Sequence, residues 1–258
     1  MANALAVAMQ KGGVGKTTTA INLAAGLAFE GERVLLVDLD SQGNASSGLG
    51  FEPSSLEQTV ADVVLAETPP DQAVRRTGID GLDLLPANME LSSLRQQLKA
   101  GRDDYSRLKQ SLDPLQGNYD RWVFDCPPSL GPLTLSGLYA AHELLIPLQA
   151  EYYALEGLSQ LWRTYQRVQE NLNPALTLAG ILITMYDRRT NLAEDVKDEV
   201  TEHFGDVVLD TVVPRNVRVS EAPGHGQPVL TYAPHSKGTK AYESVVKEVL
   251  NREQATTG

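Results

Sequence analysis

Short apolar runs, separated by longer stretches with helical spacing of apolar residues, are the main pattern of this chain. The first run, residues 5–9, contains only Leu, Ala, Val and Met. Continuous apolar runs of this length are typical of strands that are buried on both faces of a parallel sheet. On this basis we predict strands at residues 5–9, 33–40, 81–86, 122–125, 144–148, 180–187 and 207–214.

Amphipathic stretches follow several of these strands. After the first strand, Ile21, Leu23, Ala24, Leu27 and Ala28 have the spacing of one apolar helix face. The same criterion predicts further helices at residues 56–65, 91–112 with an interruption near residue 101, about 155–171, 192–204 and 237–252.

The order of these elements predicts the fold class. A strand, a helix and a second strand form a βαβ unit, whose crossover is right-handed. We therefore expect an α/β fold with a mostly parallel, twisted sheet and helices on both faces. A chain of 258 residues can bury a large core, so we expect a single domain over residues 1–258.

Composition narrows the possible classes of function. The chain is 42 % hydrophobic and 21 % charged, as in globular proteins, and no apolar run approaches the ~20 residues of a membrane span. The first residues lack a basic side chain, so we expect no signal or transit peptide and a cytoplasmic location. The single cysteine, Cys126, excludes an intrachain disulfide and is interpreted as a small buried thiol.

Glycine-rich sequence follows the first strand, where Gly12, Gly13 and Gly15 allow backbone N–H groups to surround an anion. Lys16 provides a positive charge for the β- and γ-phosphates of a nucleotide, and the Thr17 hydroxyl is suited to Mg²⁺. Because a helix begins here, its positive dipole end would face the phosphates. This arrangement predicts a phosphate-binding loop.

The strict P-loop pattern is not met, because Gln10 stands where its first glycine would be. The sequence Lys-Gly-Gly-Val-Gly-Lys-Thr, with a second lysine at Lys11, resembles the deviant Walker A motif of the ParA/MinD class of P-loop ATPases. The resemblance implies that ATP and Mg²⁺ are cofactors and that Lys11 reaches the nucleotide of a partner subunit. It gives as nucleotide contacts Lys11, Gly12, Gly13, Val14, Gly15, Lys16, Thr17 and Thr18.

Two acidic segments at predicted strand ends extend the resemblance. Residues 38–44, Asp-Leu-Asp-Ser-Gln-Gly-Asn, resemble the second ParA signature, in which Asp40 positions the attacking water or the Mg²⁺ shell and Asp38 supports the site. Ser41 replaces the usual proline. Asp125 ends another strand and is interpreted as the Walker B carboxylate that holds the Mg²⁺ shell.

The predicted catalytic residues are thus Lys11, Lys16 and Asp40, and the predicted metal site consists of Thr17, Asp40 and Asp125. By resemblance to ParA-like ATPases, the Pro-Arg-Asn loop lies against the adenine, which makes Pro214 and Asn216 candidate base contacts.

The resemblance is strongest to the short, Soj-like branch of the ParA family, because only ten residues precede Lys11. It implies an ATPase switch that forms an ATP-dependent homodimer, binds double-stranded DNA nonspecifically on the nucleoid, and segregates chromosomal or plasmid DNA. It also implies a ParB-like partner protein that stimulates hydrolysis.

DNA binding has to overcome a net charge of −11. Two predicted strand-end loops carry arginines, and the resemblance favours Arg189 and Arg218 as phosphate contacts. Arg188, Arg215, Lys237 and Lys240 would extend the patch. Solvated loop arginines or dimer ion pairs remain the alternative.

Two other functions share the nucleotide motifs. A MinD-like ATPase in division-site placement would need a C-terminal amphipathic helix with a basic face, whereas residues 251–258 contain one arginine, one glutamate and no large apolar residue. We therefore expect no membrane partner. A metabolic P-loop enzyme would need a second substrate pocket, for which we find no motif.

Overall fold

A seven-stranded sheet forms the centre of the computed structural model, which describes residues 2–98, 101–152 and 154–257. The strands are β1 (Asn3–Val7), β2 (Val34–Asp38), β3 (Arg75–Arg76), β4 (Leu82–Leu85), β5 (Arg121–Asp125), β6 (Glu143–Gln149) and β7 (Thr177–Thr184). Their order is β3-β4-β2-β5-β1-β6-β7, and every pairing except that of β3 with β4 is parallel. The predicted mostly parallel sheet is confirmed.

Helices cover both faces of the sheet. They are α1 (Lys16–Phe29), α2 (Asn44–Gly48), α3 (Val60–Val64), α4 (Pro70–Ala73), α5 (Leu91–Gln97), α6 (Arg102–Leu112), α7 (Pro132–Ala140), α8 (Ala154–Asn171), α9 (Asn191–Phe204), α10 (Val217–Glu221), α11 (Val229–Tyr232) and α12 (Lys237–Thr257). Along β1, Leu5 and Val7 face a core built with α1 and α12, whereas Ala4 and Ala6 face a core built with α3, α6, α7 and α8. This alternation follows from the two-residue period of a strand.

One predicted strand is wrong. Residues 207–214 do not form an eighth strand, because only Val208 and Pro214 make isolated bridges, to Ile181 and Tyr186. A 3₁₀ helix, Gly205–Val207, and the missing N–H of Pro214 limit the ladder here. The predicted helix over residues 56–65 is shorter than expected and covers Val60–Val64, where Thr59 and Asp62 form a capping box.

The strand register brings acidic residues together at one edge of the sheet. Asp38 at the end of β2 lies beside Asp125 at the end of β5, and Asp125 in turn pairs with Val7, the last residue of β1. The phosphate loop begins directly after β1, so the register alone places these carboxylates next to it. Ligands in parallel α/β sheets bind at this carboxyl edge.

An ion cluster lies at the opposite, amino edge. Arg121, at the start of β5, is 9 % exposed and pairs with Glu32 at 2.7 Å and with Glu253 near the end of α12. Because removing one member of a buried ion pair leaves an unpaired charge, this cluster ties the last helix to the sheet.

We predict that Gly26→Val destabilises the fold by about 2 kcal/mol, because overpacking a core typically costs 1–3 kcal/mol. A Cβ at Gly26 in α1 would lie 2.4 Å from Cγ2 of Val246 in α12. Urea unfolding followed by circular dichroism measures the effect. Gly117→Val is the control, since a Cβ there meets no atom within 4 Å. Equal stability of both variants would contradict this account of α1–α12 packing.

Candidate nucleotide site

The phosphate loop has the backbone that its glycines permit. Gly13 and Gly15 have φ angles of 76° and 86°, which side-chain-bearing residues rarely adopt. Gly15 is the N-cap of α1, so the first free N–H groups of that helix face the loop. At Gly12 a Cβ would meet nothing within 4 Å, so the loop is open to solvent there.

Lys16 lies under this loop with 7 % of its surface exposed. Its Nζ donates a hydrogen bond of 2.8 Å to the carbonyl oxygen of Lys11. Burial lowers the pKa of the Lys16 ammonium, while the carboxylates of Asp125 and Asp40 raise it to a smaller extent. The group is therefore held between the loop and the acidic strand ends, where a phosphate would add further negative charge.

Lys11 is placed differently from Lys16. Its side chain is 34 % exposed, and its Nζ lies 3.1 Å from Oε2 of Glu151. The Gln149 side chain also donates to this glutamate. Lys11 does not line the pocket beneath its own loop. The geometry of the described residues thus directs the second lysine away from the phosphate site of its own subunit.

Asp38 is a buried structural carboxylate. Its oxygens accept hydrogen bonds from the backbone N–H of Asp40 at 3.1 Å and from both the N–H and the hydroxyl of Ser46 at 2.9 Å. Burial raises the pKa of Asp38 to about 6, although these hydrogen bonds lower it. Asp38 therefore fixes the backbone of Asp40, whereas Asp40 itself lines the pocket.

The acidic strand ends fit a magnesium shell. Asp125 is fully buried, and neither carboxylate oxygen has a hydrogen bond of ordinary geometry. Burial and the neighbouring Asp38 raise its pKa well above the usual range, while the Thr17 hydroxyl lowers it. The described residues contain no cluster of three acidic, His or Cys side chains that would hold a metal alone. A site with few protein ligands suits Mg²⁺, because this ion keeps several bound waters and takes further ligands from phosphates.

Two adjoining pockets run along the loop. The first, of about 490 Å³, contains the phosphate loop and Asp40 and is named the phosphate pocket. The second, of about 470 Å³, is named the base pocket and contains both predicted base contacts, Pro214 and Asn216. Gly15, Thr18 and Met185 line both pockets, so the two pockets form one continuous cleft.

Most predicted nucleotide residues are brought together in this cleft, which is lined by Gly12, Gly13, Gly15, Lys16, Thr17, Thr18, Asp40, Pro214 and Asn216. Val14 is different, because its side chain is buried in the core and its carbonyl accepts a 2.8 Å hydrogen bond from Thr184. Its role at the site is limited to the backbone.

The sequence did not indicate Met185, which joins the two pockets. Its φ of 51° is unusual for a residue with a side chain, and no property of the sequence signals it. Tyr242 in α12 also lines the base pocket, whereas the sequence places it only within the predicted helix over residues 237–252.

The two predicted DNA contacts lie on different elements: Arg189 is on the loop after β7, and Arg218 is on α10. A third cavity of about 620 Å³, named the basic pocket, is lined by Arg188, Arg189, Arg215, Lys237 and Lys240. Arg189 pairs with Asp187 at 2.7 Å. Arg218 does not line this pocket; it is on α10 and pairs with Glu221 at 2.8 Å. Five of the six basic residues considered from the sequence therefore share one surface.

The comparisons with known proteins agree with this geometry. The family described as "AAA domain" matches residues 2–178. The sporulation initiation inhibitor protein Soj of Bacillus subtilis is 48 % identical, over 96 % of this chain and 98 % of that protein. The chromosome partitioning protein ParA of Caulobacter vibrioides is 49 % identical, over 97 % and 94 %. The chromosome-partitioning ATPase Soj of Treponema pallidum is 47 % identical, over 98 % and 99 %.

Solved structures show the same fold. A Mycobacterium smegmatis protein named cobyrinic acid a,c-diamide synthase, with bound ADP and magnesium, has a TM-score of 0.87 and 40 % identity, covering 99 % of this chain and 97 % of that one. The septum site-determining protein MinD of Pyrococcus horikoshii, complexed with Mg-ADP, is more distant, with a TM-score of 0.78, 26 % identity and 96 % coverage of both chains.

These matches confirm the predicted family and α/β fold. They also confirm the class of activity, ATP hydrolysis, and the use of a nucleotide with magnesium as properties of the family. The roles of individual residues stay predictions. With relatives of nearly the same length at 47–49 % identity, the chain belongs to the ParA/Soj family of P-loop ATPases.

Proposed function

We propose that this protein is an ATP-dependent dimerising switch that binds DNA nonspecifically and segregates chromosomal or plasmid DNA with a ParB-like partner. It would act in the cytoplasm, on the nucleoid. The single observation that carries the proposal is the phosphate loop, where Lys16 lies inside the subunit's own site and Lys11 outside it. The relatives are named as chromosome-partitioning proteins, which supports DNA as the cargo.

Within one subunit, Lys16 and the loop N–H groups would bind the phosphates, and Thr17, Asp40 and Asp125 would hold the magnesium shell. Bound magnesium would neutralise charge on the phosphates during transfer. Asp40, fixed through Asp38, would orient the attacking water. Positioning and charge stabilisation account for most catalysis of phosphoryl transfer, so these roles would be sufficient for ATP hydrolysis.

The dimer would form around the open side of the loop. Lys11 and Gly12 lie at this surface, and the Lys11–Glu151 pair is partly exposed. Exposed ion pairs contribute only ~0–1 kcal/mol, so Lys11 can exchange Glu151 for a phosphate of the partner's nucleotide at little cost. ATP would then link two subunits.

A dimer would also join two basic pockets. One pocket has five basic side chains, and two pockets would double the number of cations available to phosphates. Phosphate contacts position a protein on DNA without specifying sequence, which agrees with nonspecific binding. This makes DNA affinity dependent on ATP, as a switch requires.

The alternative is a MinD-like ATPase that acts at a membrane. The described residues contain no helix that is long and apolar enough to span a bilayer. A surface-bound helix would need a basic amphipathic face, and α12 instead packs Tyr242, Val245, Val246 and Val249 into the core.

Cosedimentation separates these functions. We expect the protein to sediment with DNA when ATP is present and not with anionic phospholipid vesicles. Addition of a ParB-like protein encoded beside this one is expected to raise ATP hydrolysis. Sedimentation with vesicles would favour the membrane function, and hydrolysis with binding to neither would favour a metabolic enzyme.

For Asp40→Ala we predict slower hydrolysis by at least about 100-fold, because positioned acid–base groups contribute roughly 10²–10⁴. The phosphate loop is intact, so ATP affinity is retained and the variant accumulates as an ATP-bound dimer. Phosphate release, nucleotide titration and light scattering measure the three properties. Asp40→Asn, which keeps the shape but not the charge, is expected to behave alike. Parental turnover in both variants would remove Asp40 from the mechanism.

For Arg189→Ala and Arg218→Ala we predict loss of DNA binding and a smaller salt dependence, because fewer counterions are released. ATPase activity without DNA is retained. Mobility shifts with ATP across a salt series measure this. Arg163→Ala is the matched control, since Arg163 is exposed on α8 and does not line the basic pocket. If both variants bind DNA as the parent does, the DNA contacts lie elsewhere.

A further inference from the structure

The base pocket and the basic pocket share one wall. Pro214 and Arg215 line both cavities, and the next residue, Asn216, lines the base pocket. A segment of three residues therefore separates the space for a nucleotide base from the space for DNA phosphates.

This wall is held firmly on the side of β7. The N–H of Tyr186 donates to Val213 at 3.0 Å, and the N–H of Arg215 donates to Tyr186 at 3.1 Å. Tyr186 directly precedes the loop that carries Arg188 and Arg189. The two loops of the basic pocket are thus joined by backbone hydrogen bonds rather than by side chains alone.

Asn216 connects the wall to the next helix. Its Oδ1 accepts a 2.9 Å hydrogen bond from the N–H of Arg218 and so caps α10. The side-chain amide Nδ2 has no hydrogen-bond partner among the described residues. The amide oxygen is therefore used by the helix cap, and the amide nitrogen is available to donate a hydrogen bond to a group in the base pocket.

The start of α12 packs on the same residue. A Cβ at Gly238 would lie 2.3 Å from Cγ2 of Val219 in α10 and 3.6 Å from Cγ of Asn216. This close approach is possible only with glycine. The neighbouring Lys237 and Lys240 are consequently placed relative to α10 and its cap.

We propose that Asn216 is a positioning residue for DNA binding: its capping oxygen holds Arg218 and α10 in place, and its amide nitrogen makes that cap responsive to the base in the neighbouring pocket. The proposal rests on the DNA-binding function proposed above. It assigns the transmission between nucleotide and DNA to a contact within one subunit, in addition to dimerisation.

The size of α10 makes the cap important. The helix has five residues, and isolated helices this short do not form without support, because nucleation is unfavourable. The side-chain cap pairs a backbone N–H that the helix itself leaves without a partner. Its loss would release Arg218 from its present position without disturbing the sheet.

Two substitutions separate the halves of the amide. Asn216→Ser keeps an oxygen that caps a helix about as well, but removes the amide nitrogen. Asn216→Ala removes both. We expect both variants to bind an ATP analogue more weakly by a similar factor, since both lose the contact with the base.

DNA binding distinguishes the two variants. At saturating nonhydrolysable ATP analogue, with dimerisation confirmed by light scattering, Asn216→Ala is expected to bind DNA about fivefold more weakly, the factor that corresponds to the ~1 kcal/mol of helix stability that a lost cap typically costs. Asn216→Ser is expected to bind within about twofold of the parent. Thr59→Ala, which removes the cap of the equally short α3 far from either pocket, is the control and should bind DNA normally.

Hydrogen exchange tests the cap without DNA. We expect the ATP analogue to slow exchange at the N–H of Arg218 in the parent. It should have little effect in Asn216→Ser, which keeps the cap but has lost the amide nitrogen, and little effect in Asn216→Ala.

The inference is overturned if nucleotide does not change this exchange in the parent, or if both Asn216 variants lose DNA affinity equally. It is also overturned if Thr59→Ala weakens DNA binding as much as Asn216→Ala. A parent that shows the exchange effect but never binds DNA would instead refute the proposed function.

Discussion

A buried ammonium group between buried carboxylates is the interaction on which the site depends. Lys16 is held under a glycine loop with Asp40 and Asp125 nearby, all at the carboxyl edge of the sheet. None of these groups is stable in such a position without the others, because burying an isolated charge is costly. The parallel register of β1, β2 and β5 brings these groups together. The charge balance of the site therefore depends on the strand register of the sheet.

Much of this arrangement is predictable from the sequence. Apolar runs identify the strands, acidic residues end two of them, and a glycine loop with Lys16 follows the first strand. The residues at the carboxyl edge of the sheet can therefore be predicted from the sequence. The prediction failed at residues 207–214, where an apolar run became irregular chain. The pattern of apolar residues predicts which positions are buried, and Val208, Leu209 and Val213 are indeed buried. The segment nevertheless forms no continuous hydrogen-bonded ladder with β7. Local pattern does not separate these cases.

Features that depend on contacts between distant parts of the chain could not be predicted from the sequence either. Arg189 and Arg218 look equivalent as loop arginines, but only Arg189 lines the basic pocket. Lys11 gives no sign in the sequence that it meets Glu151, which is 140 positions away. Asn216 was predicted to be a base contact from its motif, whereas its cap on α10 required coordinates. In each case the missing information was the relative placement of loops.

The ion cluster around Arg121 has a practical consequence for labelling. The helix α12 begins beside the basic pocket and has 21 residues, so it spans ~30 Å and ends at the amino edge of the sheet, where Glu253 meets Arg121. A fluorescent tag attached after residue 257 would therefore emerge on the side of the molecule facing away from the phosphate pocket and the basic pocket. Live-cell imaging with such a tag should report the movement of an undisturbed ATPase, provided that the linker leaves Glu253 in contact with Arg121.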